Sequence, residues 1–177
     1  WDAAKHPKSV GSFFGYIDEC QYLNGVIAAH MTKSKKLGFI AAKPIPQVLR
    51  NINAFTLGAR SVKPDITCSV IFTGDWSMPV KEAEATNSLA DQGCDVFTMH
   101  VDGPKVVVET AAKRGKMVCG YHASQAKLAP QAYLNIVQFV DRRIFRMGIV
   151  ISALLVLLAI VFVLAARQYV AIKDYSS

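Results

Sequence analysis

The sequence lacks the motifs that most enzymes and many metal proteins depend on. It has no Gly-rich phosphate-binding loop, no H-E-x-x-H pair and no Ser-His-Asp order. Its four cysteines lie far apart and include no C-x-x-C spacing, which argues against a disulfide framework. We therefore expect a non-catalytic protein with no catalytic residue, metal site or cofactor.

The chain also lacks a run of basic residues interleaved with aromatic residues, although its net charge is +7. Such a run is typical of grooves that bind single-stranded nucleic acid. Lys33, Lys35 and Lys36 form the one small basic cluster, and a solvated turn explains it. We predict no nucleic-acid partner.

Charge is missing altogether from residues 147–166. A helix of about 20 apolar residues rises about 30 Å, which matches the hydrocarbon core of a bilayer. The alternative, a buried core helix, would need far more chain to surround it. We predict a transmembrane helix over residues 144–169 and a juxtamembrane tail over 170–177, with the lipid bilayer as a partner.

Basic residues flank this apolar run on both sides. Arg142, Arg143 and Arg146 precede it, and Arg167 and Lys173 follow it. The positive-inside rule then favours a cytosolic amino-terminal side, but long folded domains can translocate despite flanking charge. The charges therefore leave the orientation open.

Four short apolar runs in the middle of the chain alternate with helix-like stretches. The runs are Leu37–Ala42, Ile66–Phe72, Asp95–Met99 and Met117–Tyr121. Strands that alternate with helices predict a parallel sheet covered on both faces. The loops after the carboxyl ends of such strands are the usual ligand crevice. We therefore predict an α/β, doubly wound domain with its functional site at that edge.

Apolar periodicity predicts a helix on each side of the first strand, one over Phe13–Met31 and one that opens at Pro44–Pro46. Gly25 in the first helix would let another element approach closely. The residues expected on the apolar faces are Phe14, Ile17, Tyr22, Leu23, Val26 and Ile27 in the first helix and Val48, Leu49, Ile52, Phe55 and Leu57 in the second.

Two later helices complete the pattern, one from Pro79 to Asp91 and one from about Pro104 to Lys113. The first carries Glu82, Glu84 and Asp91, which we expect on a solvated face. Beyond residue 125 the pattern weakens, and no further strand is predicted.

Five segments keep the order and spacing of a known family over roughly residues 1–130. They are Phe13–Gly25, Met31–Pro46, Ile52–Ala59, Asp91–Val96 and Gly120–Gln125. These segments resemble the basic membrane protein family, which includes the bacterial purine nucleoside receptors. Its members are periplasmic-binding-type lipoproteins that feed ABC transporters. The resemblance implies a substrate-binding fold of two lobes.

The resemblance covers only the second lobe and the segment that leads into it. It implies a lead-in segment with an inter-lobe helix over 1–35, one periplasmic-binding-protein-like α/β lobe over 36–125 and a linker over 126–143. Because the first lobe is absent, we expect this chain to be a fragment of a longer protein. Residues 167–177 also weakly resemble the end of the first membrane helix of family C G-protein-coupled receptors, some of which carry an extracellular domain of this binding-protein family.

The resemblance also implies candidate ligand-binding residues at the strand ends. The family places an aromatic residue beside its ligand where Trp76 stands, although a Trp there could instead pack the loop onto its own lobe. Asp102 and His122, with His100, follow the third and fourth strands and would face the sugar or base of the ligand. A metal site made from these three residues is the alternative by ligand type.

Ser124 departs from the family pattern. Transport members usually carry Asp at this place, where a carboxylate can accept hydrogen bonds from two ribose hydroxyls. A serine hydroxyl is a weaker, neutral partner. Ser124 therefore remains a candidate ligand-binding residue, but one expected to weaken nucleoside binding.

These features predict a membrane-anchored protein, or a receptor fragment, that binds a small purine nucleoside-like molecule. The resemblance implies the plasma membrane, with the α/β domain outside, and transporter or receptor proteins as membrane partners. The alternative is a degenerate lobe that serves as a structural or docking subunit of a membrane complex. An enzyme using His100 and His122 is a remote third hypothesis.

Overall fold

The computed structural model describes residues 15–137, all of which belong to one compact unit. The elements in chain order are α1 (Ile17–Met31), β1 (Lys36–Ala41), α2 (Pro46–Val62), β2 (Thr67–Phe72), α3 (Pro79–Asp91), β3 (Val96–His100), α4 (Lys105–Lys113), β4 (Met117–Tyr121), a 3₁₀ turn (Ala126–Leu128) and β5 (Tyr133–Val137).

The five strands form one parallel sheet in the order β2-β1-β3-β4-β5. Helices cover it on both faces, as predicted, with α1 and α2 on one side and α3 and α4 on the other. In β1, Leu37 and Phe39 face α1 and α2, whereas Ile40 faces α3 and α4. The alternation of side chains along a strand therefore supplies both cores from the same strand.

One carboxylate, that of Asp95 just before the neighbouring strand β3, holds the turn between α1 and β1. Asp95 accepts hydrogen bonds from the Thr32 hydroxyl and from the backbone N–H groups of Lys33 and Ser34. Partial burial alone would raise the pKa of Asp95, but these bonds outweigh burial and hold the pKa below its usual value. The basic cluster beside this turn is solvent-exposed, as predicted for it.

Helices α1 and α2 touch backbone to backbone. A Cβ at Gly25 would lie 2.0 Å from the carbonyl oxygen of Phe55, and a Cβ at Gly58 would lie 2.0 Å from that of Tyr22. The expectation that Gly25 allows a close approach is confirmed. Only glycine fits at these two places, because any side chain would separate the helices.

The predicted apolar face of α1 is confirmed only in part: Ile17, Val26 and Ile27 are half-buried, and Phe14 lies outside the described residues. Tyr22 and Leu23, expected in the core, are exposed, and the residues that α1 buries are small or polar: Gln21, Asn24, Gly25, Ala28 and Ala29. Only glycine fits where α1 and α2 touch, and two alanines and the amide side chains of Gln21 and Asn24 fill the rest of the inner face. The prediction of an inward-facing Tyr22 and Leu23 was wrong, because small and amide side chains take the inner positions.

Helix α2 departs from its predicted face at three positions. Val48, Ile52 and Phe55 are buried as expected, but Leu49 and Leu57 are exposed. Asn51, which lies on the same side as Val48 and Phe55, is buried instead. A polar side chain thus occupies a core position, where it must find a hydrogen-bond partner.

A fifth strand was not predicted. β5 lies within the segment expected to be a linker and pairs in parallel with β4. The connection from β4 contains a 3₁₀ turn and no α-helix, so the strand–helix alternation that signalled the other strands is missing here. No helix within residues 15–137 combines the length and apolarity needed to cross a bilayer. The predicted span over 144–169 and tail over 170–177 lie outside the described residues.

The contact at Gly25 can be tested by adding one methyl group. We expect Gly25→Ala to lower the free energy of unfolding of the full chain by about 2 kcal/mol, because overpacking outweighs the gain in helix propensity. Urea unfolding in mild detergent, followed by circular dichroism, measures the change. Gly103→Ala is the control, because a Cβ there meets its nearest atom at an ordinary 3.7 Å. Equal stability of both variants would contradict the close approach.

Candidate ligand-binding edge of the sheet

The carboxyl ends of the strands meet at one edge of the sheet. From β1 the chain passes to β2 on one side and then crosses to β3 on the other, so the strand order reverses between β1 and β3. The ladder continues past the strand ends through Ala42 N–H to His100 O (3.1 Å) and Gly74 N–H to Ala42 O (2.9 Å). Crevices for ligands form at such a switch point in open α/β sheets.

Four rings form a row along this edge. The ring centroids of Trp76 and His100 are 5.8 Å apart, those of His100 and Tyr121 are 4.7 Å apart, and those of Tyr121 and His122 are 4.2 Å apart. Trp76 follows β2, so its ring reaches past the end of β1 to β3. We call Trp76, His100, Tyr121 and His122 the ring row.

His100 is the buried member at the centre of the ring row. It is 5% exposed, and its Nδ1 lies 2.8 Å from the Asn51 side-chain nitrogen. Burial, with a smaller contribution from nearby His122, lowers the pKa of His100 to about 4, and the charge of Asp102 opposes the shift. His100 is therefore neutral at pH 7, with Nδ1 accepting from the Asn51 amide.

Asp102 lies next to the ring row at the end of β3. Its backbone N–H donates to the carbonyl of Trp76 at 2.7 Å, which ties the loop after β2 to the loop after β3. Its side chain is exposed. Burial raises the pKa of Tyr121, and the negative charge of Asp102 raises it further. The structure therefore brings Asp102, Trp76 and Tyr121 into one neighbourhood.

His122 begins the loop after β4 in a left-handed conformation, with φ of 65°. Histidine tolerates this region better than most residues with a side chain. The conformation sets the His122 ring against Tyr121 while leaving the side chain exposed. Ser124 is also exposed, and its hydroxyl oxygen accepts from Ala126 N–H at 3.4 Å. Among the described residues, no hydrogen bond or ring contact joins Ser124 to the ring row.

Tyr133 of β5 supports the loop after β4 by packing and hydrogen bonding. The missing side chain of Gly120 leaves space for the Tyr133 ring, and a Cβ at Gly120 would lie on the phenol oxygen. The Tyr133 hydroxyl donates to Gln125 Oε1 at 3.3 Å, and Gln125 Nε2 donates to the carbonyl of Tyr121 at 3.4 Å. These contacts fix the loop that carries His122 and Ser124.

Trp76 meets the packing expectation, whereas its role beside a ligand stays a prediction. Its ring is half-buried and packs against both hydrophobic cores, so it fastens the loop onto its own lobe. The rest of the side chain remains accessible at the strand edge. Asp75, the preceding residue, is held 2.9 Å from Lys43, and that hydrogen bond lowers the pKa of Asp75.

Glu82 was wrongly expected on a solvated face. It is fully buried in the first turn of α3, where Oε1 accepts from the backbone N–H of Met78 at 2.9 Å. Its Oε2 has no hydrogen-bond partner among the described residues and lies near the backbone of Gly103. The expectation holds for Glu84 and Asp91, which are exposed.

Two residues of this edge were not predicted from the sequence. Tyr121 was assigned only to a strand, although it directly precedes His122. Asn51 could have been found as the one polar residue at helical spacing from Val48 and Phe55. Within residues 15–137 there is no group of three or more His, Cys, Asp or Glu side chains that could hold a metal ion, so His100, Asp102 and His122 do not form one.

Comparison with known proteins gives a family match over most of the chain. The family model described as ABC transporter substrate-binding protein PnrA-like matches residues 1–140. A purine-binding protein of Brucella abortus is 41% identical over 119 residues, which are 67% of this chain and 34% of that protein. A putative ABC transporter glucose-binding protein of Haloferax volcanii is 39% identical over 127 residues, which are 72% of this chain and 32% of that protein.

A solved structure shares the fold. A solute-binding protein of an ABC transporter system from Aeropyrum pernix superposes with a TM-score of 0.60 at 22% identity, over 74% of this chain and 44% of that chain. The α/β parallel sheet therefore has the architecture of a periplasmic-binding-protein lobe. The chain spans about a third of the length of the curated relatives it matches.

The burial of neutral His100 predicts a pH dependence of stability. The folded-state pKa of about 4 lies below the ordinary value of 6.5, so the unfolded chain takes up the proton first as the pH falls. The stability contributed by neutral His100 is complete above pH 6.5 and is lost between pH 6.5 and 4. We expect this loss to amount to about 2 kcal/mol.

Urea unfolding of the full chain at pH 7 and pH 4.5 measures this effect. His100→Gln should flatten the pH dependence, whereas His30→Gln, which changes an exposed histidine on α1, should retain the wild-type slope. A slope unchanged by His100→Gln would show that His100 does not titrate as a buried neutral group.

Proposed function

Because this chain belongs to the family of PnrA-like ABC transporter substrate-binding proteins, we propose that it forms one lobe of a membrane-anchored, non-catalytic protein that binds a small purine nucleoside-like molecule. The observation that carries the proposal is the ring row at the switch point of the sheet. The similarity to the purine-binding protein of Brucella abortus supports a purine as the ligand class.

The ring row suits a flat, nitrogen-rich ligand. The accessible parts of Trp76 and His122 offer aromatic surface on which a purine can stack with little loss of side-chain entropy. Asp102 provides an exposed carboxylate that can accept from an exocyclic amine or a ribose hydroxyl. Ser124 lies two residues beyond His122, where it would contact the more polar part of the ligand.

Buried His100 positions these groups and is not proposed to bind the ligand. It lies between Trp76 and Tyr121 and is fixed by Asn51. As a neutral ring, it adds no cation that would repel a donor-rich or positively polarised ligand. Rigid placement of the stacking groups lowers the ordering cost of binding.

One lobe supplies one wall of such a site. In a two-lobed protein, closure of the second wall over the ligand shifts a hinge equilibrium toward the closed state. We propose that the apolar run 147–166 then passes this shift to a transporter or receptor protein in the membrane. The proposed location is the plasma membrane, with the α/β domain outside.

A second candidate function is a docking lobe that has lost its ligand. Ser124 favours it, because a serine is a poor substitute for the carboxylate expected at this place. The exposed apolar side chains of α1 favour it as well, since they offer a surface for a protein partner. Stable co-purification with fixed partners in the absence of any nucleoside would support this candidate over the first.

Ligand binding can be tested with a single fluorescent reporter. The chain has two tryptophans, so Trp1→Phe leaves Trp76 as the one indole. We expect adenosine, guanosine or inosine to quench Trp76 emission in the full chain at high micromolar concentration, and glucose to have no effect. His122→Ala should raise the dissociation constant measured by this quenching about tenfold, because it removes a stacking ring. His30→Ala should leave it unchanged.

The role of position 124 can be tested by restoring a carboxylate. We expect Ser124→Asp to strengthen adenosine binding about tenfold, because a charged acceptor can hold the ribose hydroxyls. The same change should leave the affinity for adenine, which has no ribose, unaltered. Equal effects on both ligands, or no calorimetric heat from any nucleoside with the folded chain, would contradict the proposed site.

Membrane anchoring is tested separately. We expect the full chain, expressed in cells, to remain in the membrane pellet after carbonate extraction, because residues 147–166 offer no charged group to water. Replacing Leu155 and Leu158 by Arg should release it, whereas replacing both by Ile should not. Release of the unchanged chain by carbonate would refute the anchor.

A further inference from the structure

Helix α1 has its largest apolar side chains on the outside. Tyr16, just before the helix, is 61% exposed, Leu23 is 59% exposed, and Tyr22 and Met31 are each 39% exposed. Its inner face is formed by small and polar residues. A surface helix of a globular domain normally shows the opposite arrangement. The outer face of α1 is therefore the unusual surface of this lobe.

The outward residues form one stripe along the helix. The exposed Tyr16, Glu19, Leu23 and His30 and the half-buried Val26 recur at spacings of three and four residues, which places them on one side. This spacing is the alternating three-and-four repeat of a helix–helix seam. We call these five residues the α1 stripe.

Charge is distributed unevenly along the α1 stripe. The first turn of the helix carries Asp18 and Glu19, and the last turn carries His30, with Lys33 just beyond it. Asp18 is already engaged with Arg50 of α2 at 3.8 Å. Glu19 and His30 are both exposed and lie at opposite ends of the stripe.

Such a stripe is complementary to a second copy of itself in antiparallel orientation. With the two-fold axis between Asn24 and Gly25, Glu19 meets the partner copy's residue 30, and Leu23 meets the partner copy's residue 26. The acidic start of each helix then faces the basic end of the other, and both helix dipoles oppose each other favourably. Parallel packing would instead bring like charges together.

We propose that the α1 stripe is the interface of a two-fold homodimer of this chain. The interface is isologous, with the same surface on both copies. The occupant is a second copy because apolar and charged positions both match under one two-fold axis. The close contact of α1 with α2 at Gly25 and Gly58 supports it by holding α1 rigid, so little order is lost on association.

The test is the dimer dissociation constant of the full chain in nanodiscs or mild detergent, measured by analytical ultracentrifugation. Leu23→Asp should weaken the dimer at least tenfold, because it places a charge in the apolar centre. Leu57→Asp is the matched control, since Leu57 is equally exposed (62%) but lies on α2. It should leave the dissociation constant within about twofold of wild type. Circular dichroism verifies that both variants are folded.

The antiparallel register is tested by exchanging charges. Glu19→Lys alone and His30→Glu alone should each weaken the dimer, by about fivefold, because the first removes the acceptor that faces the partner copy's residue 30 and the second places two carboxylates opposite one another. The double variant Glu19→Lys with His30→Glu should regain wild-type affinity. A monomer at all concentrations, association insensitive to every change, equal loss in Leu57→Asp, or failure of the double variant to recover would each overturn the proposal.

Discussion

The hydrogen bond between Asn51 and His100 is the interaction on which the candidate site depends. It joins α2 to the end of β3 beneath the edge of the sheet, where both side chains are buried. A buried polar pair of this kind is costly to leave unsatisfied, so it specifies one position for the His100 ring. The rings of Trp76 and Tyr121 both pack against that ring. Loss of the Asn51 contact would therefore disturb three loops together.

A second constraint, the contact of α1 and α2 at Gly25 and Gly58, determines which face of α1 is turned outward. Only glycine fits where the two helices touch, and the large apolar side chains of Tyr22 and Leu23 lie on the outside. The site and the α1 stripe thus have separate causes: one arises from a buried polar pair, the other from steric exclusion. A ligand could be lost during evolution while the stripe is retained, which is the physical basis of the docking alternative.

The sequence predicted the fold well because the α/β repeat is a strong signal. The four predicted strands are present in the structure within one or two residues at each end, as is the start of α3 at Pro79. Burial was predicted less well. Periodicity identified that α1 is a helix but not which side faces the sheet, because glycine and alanine carry too little hydrophobicity to mark an inner face.

Polar residues inside the core were the other source of error. Glu82 was expected on a solvated face and no role was predicted for Asn51. Only the tertiary structure shows that Asn51 contacts His100 and that Glu82 accepts from the Met78 backbone. The candidate residues Trp76, Asp102 and His122 were placed at strand ends by chain order, and the structure brings them to one edge. Their roles toward a ligand stay predictions, as does that of Ser124. The fifth strand was not predicted because no α-helix lies between it and β4.

The most direct test of the central claim is histidine and tryptophan side-chain NMR of the full chain during titration with adenosine. We expect the chemical shifts of Trp76 and His122 to change together with one dissociation constant, while those of His30 do not change. We also expect His100 to keep the chemical shifts of a neutral ring at pH 7 throughout. Signals of Trp76 and His122 that remain still under saturating adenosine, or a protonated His100 at pH 7, would contradict the account.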